Sequence, residues 1–500
     1  MSNREGLSRG RPGIGANDLP AGAAETSAPL WAGEIPFDFV QRYDQVGPRY
    51  TSYPTAPHWH ESTPAEFAED RRSLPDARGL SLYFHLPFCR ERCHFCGCSV
   101  VITSKDAIRT RYVDALIREM DLVLEENGDL ARVPVEQIHW GGGTPTHLSL
   151  PDITRLAAAI RSRFRVTDDA EVSLEVDPRV TTEEHLRVAR DAGFGRLSLG
   201  VQDIDPIVQE SIGRIQPAKM TIDLVDQARK LGYQSVNLDL VYGLPDQTQA
   251  SFSDSVSMVL GLRPDRVSLF SYAHVPWIRE NQRKIDASSL PTGEAKFAIF
   301  HRALSELVGG GYEFIGLDHF ALPDDELAEA RREGTLQRNF QGYSTRAGLA
   351  LLGFGSTSIS SLPRAYAQNA TKLIDYLNVI EGGGLATIRG CHCTDEDLLR
   401  RDVINELMCN SRLDVARLER ERGLVFAERF DKELDRLVAL ERDDLIRVSP
   451  SEIRVTDLGR VFVRNIAMVF DTYLDRGNPS DGSSDGRDDG PGRPIYSRTV

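Results

Sequence analysis

One stretch decides the fold of this chain: Phe88-Cys89-Arg90-Glu91-Arg92-Cys93-His94-Phe95-Cys96-Gly97-Cys98, here called the cysteine loop. Cys89, Cys93 and Cys96 follow the spacing C-x3-C-x2-C, directly after a strand-like run from Gly79 to His85. We therefore expect three thiolates on one short loop at the carboxyl end of a strand. Soft thiolates hold iron–sulfur clusters, and three protein ligands leave one iron of a four-iron cluster open to another molecule.

Other uses of the cysteines fit the sequence less well. A structural zinc site usually takes four Cys or His ligands as two separated pairs, and no partner pair accompanies the cysteine loop. A disulfide framework is disfavoured because seven cysteines in 500 residues are sparse and odd in number. Cys391, Cys393 and Cys409 are weak evidence for a second metal site. The three-ligand interpretation leaves Cys98 without an assigned role. It is a thiol beside the cluster, a donor on the substrate side or a small buried residue.

The cysteine spacing, with Phe95 before the last ligand, resembles the signature of the radical S-adenosylmethionine (radical SAM) enzymes. Two further blocks, Gly97-Cys98 and Gly47-Pro-Arg-Tyr-Thr-Ser-Tyr-Pro-Thr-Ala56, are similar to one family among them, the oxygen-independent coproporphyrinogen III oxidases. This resemblance covers nearly all of residues 36 to 474.

Length and composition limit the class of protein. A chain of 500 residues is too long for one small core and predicts about two to four domains. With 41% hydrophobic and 27% charged residues, it has the composition of a soluble globular protein. No run approaches the roughly 18 apolar residues of a membrane span, and the amino terminus lacks the apolar stretch of a secretory signal. We therefore expect a cytoplasmic protein without a membrane span.

The formal net charge of −15 argues against nucleic-acid binding, because no basic excess is available to neutralise phosphates. A polyanionic substrate would need a local basic patch. The blocks Asp318-His-Phe-Ala321 and Arg338-Asn-Phe-Gln-Gly-Tyr343 contain cationic and aromatic side chains. They either suit a tetrapyrrole with acidic arms or form a polar loop region at the edge of the barrel.

Apolar, β-branched runs alternate with stretches of helical spacing from residue 79 onward, which predicts an α/β fold with a parallel sheet. The six predicted strands are Leu80 to His85, Gln137 to Trp140, Val172 to Val176, Leu197 to Val201, Val236 to Val241 and Val267 to Tyr272. Six units are too few for a complete eight-stranded barrel. The resemblance implies an incomplete (β/α)6 radical-SAM barrel with an N-terminal arm and a mostly helical C-terminal domain.

Five parts are expected along the chain. They are a disordered extension (1–35), an arm (36–78), the partial barrel with substrate-side elements (79–362), the helical C-terminal domain (363–474) and a disordered tail (475–500). Both ends are rich in small and polar residues with almost no apolar periodicity, which is typical of disorder. In the C-terminal domain, acidic residues interleave with the arginines around a hairpin, so we expect a lid or substrate-side module there.

Polar residues follow the predicted strands, at the end of a parallel sheet where ligands gather. Tyr83, Glu175, Gln202 and Asp239 stand at four such strand ends, and Gly141-Gly-Gly-Thr-Pro145 stands at a fifth. The glycines permit close approach of the backbone to a ligand or form a tight turn. Glu175 and Asp239 fit hydrogen bonds to ribose hydroxyls or an ammonium group, or cap the following helices.

The resemblance implies roles for individual residues. Cys89, Cys93 and Cys96 would hold one [4Fe-4S] cluster. The residues expected to contact S-adenosylmethionine are Tyr83, Phe95, Gly142, Gly143, Thr144, Glu175, Gln202, Arg214, Asp239, Ala273 and Ile359. Of these, Tyr83 and Glu175 are also expected to act in catalysis. The family further implies a second S-adenosylmethionine near the first.

The implied reaction is the decarboxylation of two propionate side chains of coproporphyrinogen III to vinyl groups, giving protoporphyrinogen IX by a 5′-deoxyadenosyl radical. The implied partners are an electron donor such as a flavodoxin or ferredoxin and an unknown electron acceptor, for a monomeric enzyme. The main alternative is a haem chaperone of the same superfamily, which would lack Gly97-Cys98 and the arm block. A zinc-stabilised binding protein is a more distant alternative.

Overall fold

The structure, a computed structural model, describes residues 35–474 and 496–499. Nearly all of the predicted disordered extension (1–35) and most of the predicted tail (475–500) lie outside the described residues. Residues 496–499 are instead hydrogen-bonded to the body of the protein. The Thr499 N–H donates to the Gln45 carbonyl at 2.7 Å, and Arg464 donates to the Arg498 carbonyl at 2.6 Å. Composition did not indicate these contacts, which hold residues 496–499 against the arm.

All six predicted strands form one parallel set in chain order. They are β1 (Leu80–Leu86), β2 (Pro134–Gly142), β3 (Arg165–Val176), β4 (Arg196–Gln202), β5 (Ser235–Tyr242) and β6 (Arg266–Ser271). Their carboxyl ends therefore share one end of a curved sheet, which confirms the predicted α/β fold.

Helices connect the strands, as parallel pairing requires. They are α1 (Asp106–Glu126), α2 (Leu150–Arg163), α3 (Glu183–Asp191), α4 (Ala218–Lys230), α5 (Gln249–Leu262) and α6 (Gly293–Gly309), with a short extra helix at Pro206–Ser211 before α4. Helices α2, α3, α5 and α6 begin at Ser149, Thr182, Thr248 and Thr292, whose side chains accept hydrogen bonds from the first turn. Such caps satisfy backbone N–H groups that the helix cannot.

A seventh parallel strand, Ala350–Phe354, pairs with β1 and was not predicted. Beyond it the sheet continues with antiparallel strands Ile359–Ser361, Ala365–Asn369, Thr387–His392 and His60–Glu61. At the other edge, His319–Ala321 and Glu313–Gly316 follow β6. The 13 strands run from one edge to the other without closing, as expected for an incomplete barrel. The sheet also extends past the expected domain boundary at residue 362.

Side chains alternate between the two faces of the sheet. Along β3, the side chains of Glu171, Ser173 and Glu175 point to the inside of the barrel. The residues that alternate with them, Val172 and Leu174, are buried against the helices. The interior of the barrel is therefore polar, and the apolar core lies between the sheet and the surrounding helices.

The C-terminal domain is helical around a small sheet. Its helices are Leu373–Glu381, Asp395–Asn405, Val415–Arg422, Phe426–Arg429, Asp431–Arg442, Asp457–Val461 and Val463–Met468, with a π-helical turn at Glu406–Asn410. The predicted hairpin is formed by Ile446–Ser449 and Glu452–Val455, and Arg412–Asp414 adds a third strand.

The arm begins with a helix, Phe37–Tyr43, and packs on the C-terminal domain. Asn465 donates to the Tyr43 carbonyl at 2.7 Å, and the buried Tyr50 hydroxyl donates to Asp471 at 2.9 Å. The arm thus joins the C-terminal domain to the barrel. In the part of the chain that the structure describes, no helix is long and apolar enough to cross a membrane.

Candidate active site

The cysteine loop is held in place through its backbone. Asn281 donates from Nδ2 to the carbonyls of Cys93 and Cys96 at 3.2 and 3.0 Å. On the other side, the His94 N–H donates to the Ile212 carbonyl at 2.8 Å. Two segments distant in sequence therefore set the path of the loop that carries the thiols.

Two of the three predicted ligand sulfurs have polar neighbours within the loop region. The Thr144 hydroxyl lies 3.5 Å from Cys89 Sγ, and the Cys98 N–H donates to Cys96 Sγ at 3.4 Å. Burial raises the pKa of the Cys89 thiol to about 11, whereas the hydrogen bond from the Cys98 thiol lowers the pKa of Cys96. Cys89 would therefore need a nearby positive charge, such as a metal centre, to ionise at neutral pH.

The third sulfur, Cys93 Sγ, lies between two arginines. Arg179 Nη2 and Arg214 Nη1 approach it at 3.5 and 3.6 Å. Both guanidinium groups also bind Asp177, at 2.7 and 3.1 Å, and they hold the pKa of Asp177 below its ordinary value although burial opposes this. Two fixed positive charges at a sulfur atom stabilise a thiolate and any anionic cluster that it carries.

Within the described residues, no group of three or more His, Cys, Asp or Glu side chains forms a site for a metal ion. The fit to an iron–sulfur cluster rests on the sulfur donors themselves. Three thiols stand on one loop, and the N–H, hydroxyl and guanidinium groups described above are directed at their sulfur atoms. This donor chemistry suits a cluster, whose sulfurs accept hydrogen bonds that tune its potential.

The predicted glycine run packs closely against the start of the cysteine loop. The Gly143 N–H donates to the Leu86 carbonyl at 2.9 Å, and a Cβ on Gly143 would lie 2.7 Å from the carbonyl carbon of Pro87. Gly142 has φ +106° and donates its N–H to Glu175 at 2.9 Å. The glycines therefore allow close approach of backbone to backbone, and Thr144 continues this contact towards Cys89.

Glu175 lies at the end of β3 beside Tyr83. Its carboxylate is 3.2 Å from His139 Nε2, and the His139 ring stacks on Tyr83 with centroids 5.9 Å apart. The Tyr83 hydroxyl is 3.0 Å from His85 Nδ1. Although burial opposes it, hydrogen bonds from His139 and the Gly142 N–H hold the pKa of Glu175 below its ordinary value. Glu175 is therefore an ionised acceptor at neutral pH.

Asp239 lies in the middle of β5, not at its end as predicted, and is a second carboxyl group that faces the interior of the barrel. It accepts hydrogen bonds from Ser198 at 3.1 Å and Asn237 at 2.7 Å. Burial, together with the charge of Glu175, raises the pKa of Asp239 to about 6. The two carboxyl groups thus have different proton affinities, and Asp239 gains or loses its proton more easily near neutral pH.

Two cavities are lined by these side chains. One of about 160 Å³ lies inside the sheet among Tyr83, Glu175 and Asp239. The other, of about 440 Å³, lies between the barrel and the arm and is lined by Tyr83, Glu175, Ile359 and Arg49. The arm therefore covers the site formed by the strand ends.

The cavity of about 440 Å³ has a basic wall. Arg338 lies over the Tyr343 ring at 5.0 Å, and its buried Nε and Nη1 atoms have no hydrogen-bond partner among the described residues. Arg49 is ion-paired with Asp318. Burial lowers the pKa of His319 to about 3, so this ring is neutral. Arg338 thus presents unused donors to an acidic ligand.

A larger cavity, of about 960 Å³, adjoins the same end of the barrel at Ala273. Its wall includes Tyr272 and Lys296, and Lys296 Nζ donates to the Tyr272 carbonyl at 2.7 Å. Burial lowers the pKa of Lys296 to about 8.

Most of the predicted site residues lie together at the carboxyl ends of the strands. Gln202 ends β4 with φ 69°, and Arg214 Nη2 donates to the Gly200 carbonyl at 2.8 Å. The ring of Phe95 packs on the small apolar cluster that contains Ile212, Val241 and Tyr272, beside the ends of β5 and β6. Ala273 and Ile359 line different cavities.

Sequence reasoning missed several residues that the site uses. Arg179 touches Cys93, His139 positions Glu175, and Asn281 binds the cysteine loop. Asp177-Pro-Arg179 directly follows a predicted strand, so the position of Arg179 was a usable signal. Asn281 lies 185 residues after Cys96 in a polar turn, and nothing in the sequence marks it.

Comparison with known proteins identifies two regions. A family model described as the Radical SAM superfamily matches residues 83–259, which contain the whole cysteine loop and strands β2 to β5. A model described as the HemN C-terminal domain matches residues 393–462.

Individual relatives match nearly the whole chain. The oxygen-independent coproporphyrinogen III oxidase of Escherichia coli (strain K12) is 45% identical over 436 residues, covering 87% of this chain and 94% of that protein. The protein of the same name from Pseudomonas aeruginosa is 43% identical over 444 residues, covering 87% and 95%. Among solved structures, Escherichia coli coproporphyrinogen III oxidase, described as a radical SAM enzyme, superposes with a TM-score of 0.84 at 43% identity, covering 88% of this chain and 99% of that one.

Proposed function

This chain belongs to the oxygen-independent coproporphyrinogen III oxidases, a family of radical SAM enzymes, and from that membership we propose its reaction in detail. Each of two propionate side chains of coproporphyrinogen III loses a hydrogen atom from its β-carbon, one electron and carbon dioxide. Two vinyl groups remain, which gives protoporphyrinogen IX in porphyrin and haem biosynthesis. The relatives carry the name of the enzyme, so they favour it over the haem chaperone.

One observation carries this proposal beyond the resemblance. The thiol loop, with two arginines at Cys93, and the carboxylate of Glu175 meet at one end of an open barrel. The arm, which sequence analysis associated with the enzyme, forms the opposite wall of the cavity through Arg49. A site for a one-electron centre and a site for an acidic substrate are therefore adjacent.

Cys89, Cys93 and Cys96 would hold the [4Fe-4S] cluster, with S-adenosylmethionine beside it. When bound, these cofactors supply a 5′-deoxyadenosyl radical, a chemistry that side chains cannot provide for an unactivated C–H bond. We propose that two S-adenosylmethionine molecules bind. Ala273 and Ile359 are both expected to contact S-adenosylmethionine, and they line separate cavities.

The chain's own residues bind and orient. Glu175, ionised and fixed by His139 and the Gly142 N–H, accepts hydrogen bonds from a ligand ammonium or hydroxyl group. Tyr83 provides an aromatic wall beside it. Asp239 accepts a hydrogen bond from a hydroxyl group deeper in the barrel. These contacts fix the distance between the reacting atoms and exclude water from them.

The substrate carries four carboxylates, and Arg338 supplies the local positive charge that the acidic chain requires. Arg338 lines the cavity, and its Nε and Nη1 atoms have no partner among the described residues, so we assign its guanidinium group to a propionate. Phe340, which lines the same cavity, offers a ring for stacking. We further propose a cytoplasmic monomer that receives electrons from a flavodoxin or ferredoxin and passes electrons to a separate acceptor.

The experiment that tests this function is anaerobic incubation of the reconstituted full chain with dithionite, S-adenosylmethionine and coproporphyrinogen III. Chromatography should show protoporphyrin and 5′-deoxyadenosine that forms only with substrate. Cys96→Ala should lose the iron–sulfur absorbance and both products, whereas Cys98→Ala should keep the cluster. Stoichiometric haem binding without decarboxylation would identify a haem chaperone instead.

A further inference from the structure

Residues 496–499, here called the strap, lie against the arm as a short antiparallel segment. The Thr499 N–H donates to the Gln45 carbonyl at 2.7 Å, and the Gln45 N–H donates to the Thr499 hydroxyl at 2.9 Å. The Gly47 N–H donates to the Ser497 carbonyl at 3.1 Å. The strap therefore fixes the backbone of the arm from residue 45 to residue 47.

Side chains of the strap extend this contact in both directions along the arm. Arg498 Nε donates to the Asp44 carboxylate at 2.5 Å, and its Nη2 donates to the Asp44 carbonyl at 3.0 Å. The Tyr496 hydroxyl lies 2.7 Å from the Thr55 hydroxyl and 3.2 Å from His58 Nε2. The strap thus connects two parts of the arm that are separated in sequence.

A buried arginine of the C-terminal domain, Arg464, binds both the strap and the arm. It donates to the carbonyls of Ser497, Arg498 and Pro48 at 3.2, 2.6 and 3.0 Å. Pro48 directly precedes Arg49, which lines the cavity of about 440 Å³. The position of Arg49 in the proposed substrate site is therefore coupled to the strap.

The strap also forms part of the wall of the cavity of about 960 Å³. Tyr496, Ser497 and Arg498 line this cavity, together with Asp44 of the arm and Ala273, which follows β6. The cavity has this volume with the strap in place, so the strap closes the wall without filling the site. This geometry argues against an autoinhibitory plug and indicates a working part of the site.

We propose that the strap is a positioning element of the active site, which holds the arm and its Arg49 in place and closes the wall beside Ala273. The inference rests on the proposed function and concerns the same site. With the wall closed, thiols and other hydrogen-atom donors in solution are kept from the radical. With the wall open, a thiol would give one hydrogen atom to the 5′-deoxyadenosyl radical, forming 5′-deoxyadenosine and a thiyl radical. The propionate would then keep its hydrogen atom.

The first test follows the arm by hydrogen–deuterium exchange of the cofactor-free protein and does not depend on activity. Deleting residues 496–500 removes the acceptors of the Gln45 and Gly47 N–H groups. These amides should exchange about tenfold faster, while strands β1 to β6 keep the parent rates. Arg498→Glu should act in the same direction with a smaller effect. Arg165→Glu, at an exposed position at the start of β3, is the control and should leave the arm unchanged. Parent-like exchange of the arm in the deletion variant would overturn the proposal.

The second test measures coupling in the reconstituted protein, with S-adenosylmethionine, dithionite, coproporphyrinogen III and dithiothreitol. The ratio of 5′-deoxyadenosine to vinyl groups should rise in the deletion variant and in Arg498→Glu. Arg498→Lys, which keeps a positive charge beside Asp44, and Arg165→Glu should keep the parent ratio. A loss of stability alone would lower both products together.

A parent-like ratio in both the deletion variant and Arg498→Glu would overturn the role of the strap at the active site. Because Arg498→Glu removes no residue, it decides the question if the deletion variant fails to fold. Failure of the proposed function is distinguishable. The parent protein would then form no vinyl groups, whereas the arm would still exchange faster in the variants of the strap.

Discussion

The guanidinium group of Arg214 contacts the sulfur of Cys93, with Nη1 3.6 Å from Sγ. Bonds to Asp177 at 3.1 Å and to the Gly200 carbonyl at 2.8 Å fix this buried side chain, so it cannot turn away from the sulfur. A positive charge held beside a cluster favours the reduced state, which carries one more negative charge. Arg214 is therefore placed to raise the reduction potential of the centre.

Replacing Arg214 with Gln should lower that potential while the iron and sulfide content stays at the parent level. The measurement is a redox titration of the reconstituted protein followed by electron paramagnetic resonance. The reduction potential of Arg214→Lys, which keeps the positive charge, should be closer to that of the parent protein. A fully loaded Gln variant with an unchanged potential would show that Arg214 has only a structural role.

Gly143→Ala should displace the cysteine loop. The added Cβ would lie 2.7 Å from the Pro87 carbonyl carbon and 2.8 Å from the carbonyl oxygens of Leu86 and Phe88, so backbone has to move. We expect a loss of about 1–3 kcal/mol in stability and reduced iron loading, measured by urea unfolding and iron analysis. The control is Gly261→Ala in α5, where a Cβ meets open space. Parent-like stability and iron content for Gly143→Ala would disprove the close approach.

Asp239→Asn should change how stability depends on pH. Burial beside Glu175 raises the pKa of Asp239 from 3.8 to about 6. A carboxyl group with a raised pKa stabilises the fold below its unfolded-state pKa and loses this contribution as the pH rises through its folded-state pKa. Because Asn has no such proton to lose, the variant should gain stability relative to the parent between about pH 4 and pH 7.

Urea unfolding of the cofactor-free protein across this range measures the effect. Asp226→Asn, at an exposed position on α4, is the control for removing a carboxylate from the chain. A difference between Asp239→Asn and the parent that stays constant with pH would show that Asp239 is not buried as described.

Arg338→Gln should weaken substrate binding more than cofactor binding. Losing a charge-assisted hydrogen bond to a propionate is expected to raise KM for coproporphyrinogen III about tenfold or more. Basal cleavage of S-adenosylmethionine without substrate should stay at the parent level. Arg346→Gln is the matched control, since Arg346 lies outside the cavity of about 440 Å³. If both variants had the same KM, Arg338 would not bind the substrate.

Sequence patterns predicted the parallel strands because each is an apolar run that ends in polar residues. They missed Ala350–Phe354, a short run interrupted by Gly353, because its place beside β1 depends on contacts distant in sequence. The short antiparallel strands Ile359–Ser361 and Ala365–Asn369 carry too few apolar residues to stand out.

For the candidate site, the sequence correctly located the thiols and Glu175 at strand ends, but it placed Asp239 at an end although this residue lies within β5. It did not show that Arg179 and Arg214 converge on Cys93, or that His139 orients Glu175, because these contacts join residues that are distant in sequence. Sequence analysis placed Arg338 in a block that either suits a tetrapyrrole with acidic arms or forms a polar loop region. Its unpartnered donors become visible once the cavity around it is formed.

The most direct test of the central claim uses coproporphyrinogen III labelled with deuterium at the β-carbons of its propionates. The reconstituted protein is incubated anaerobically with S-adenosylmethionine and dithionite, and 5′-deoxyadenosine is analysed by mass spectrometry. The account predicts deuterium in 5′-deoxyadenosine and vinyl groups on the porphyrin product. Unlabelled 5′-deoxyadenosine together with unchanged substrate would contradict it.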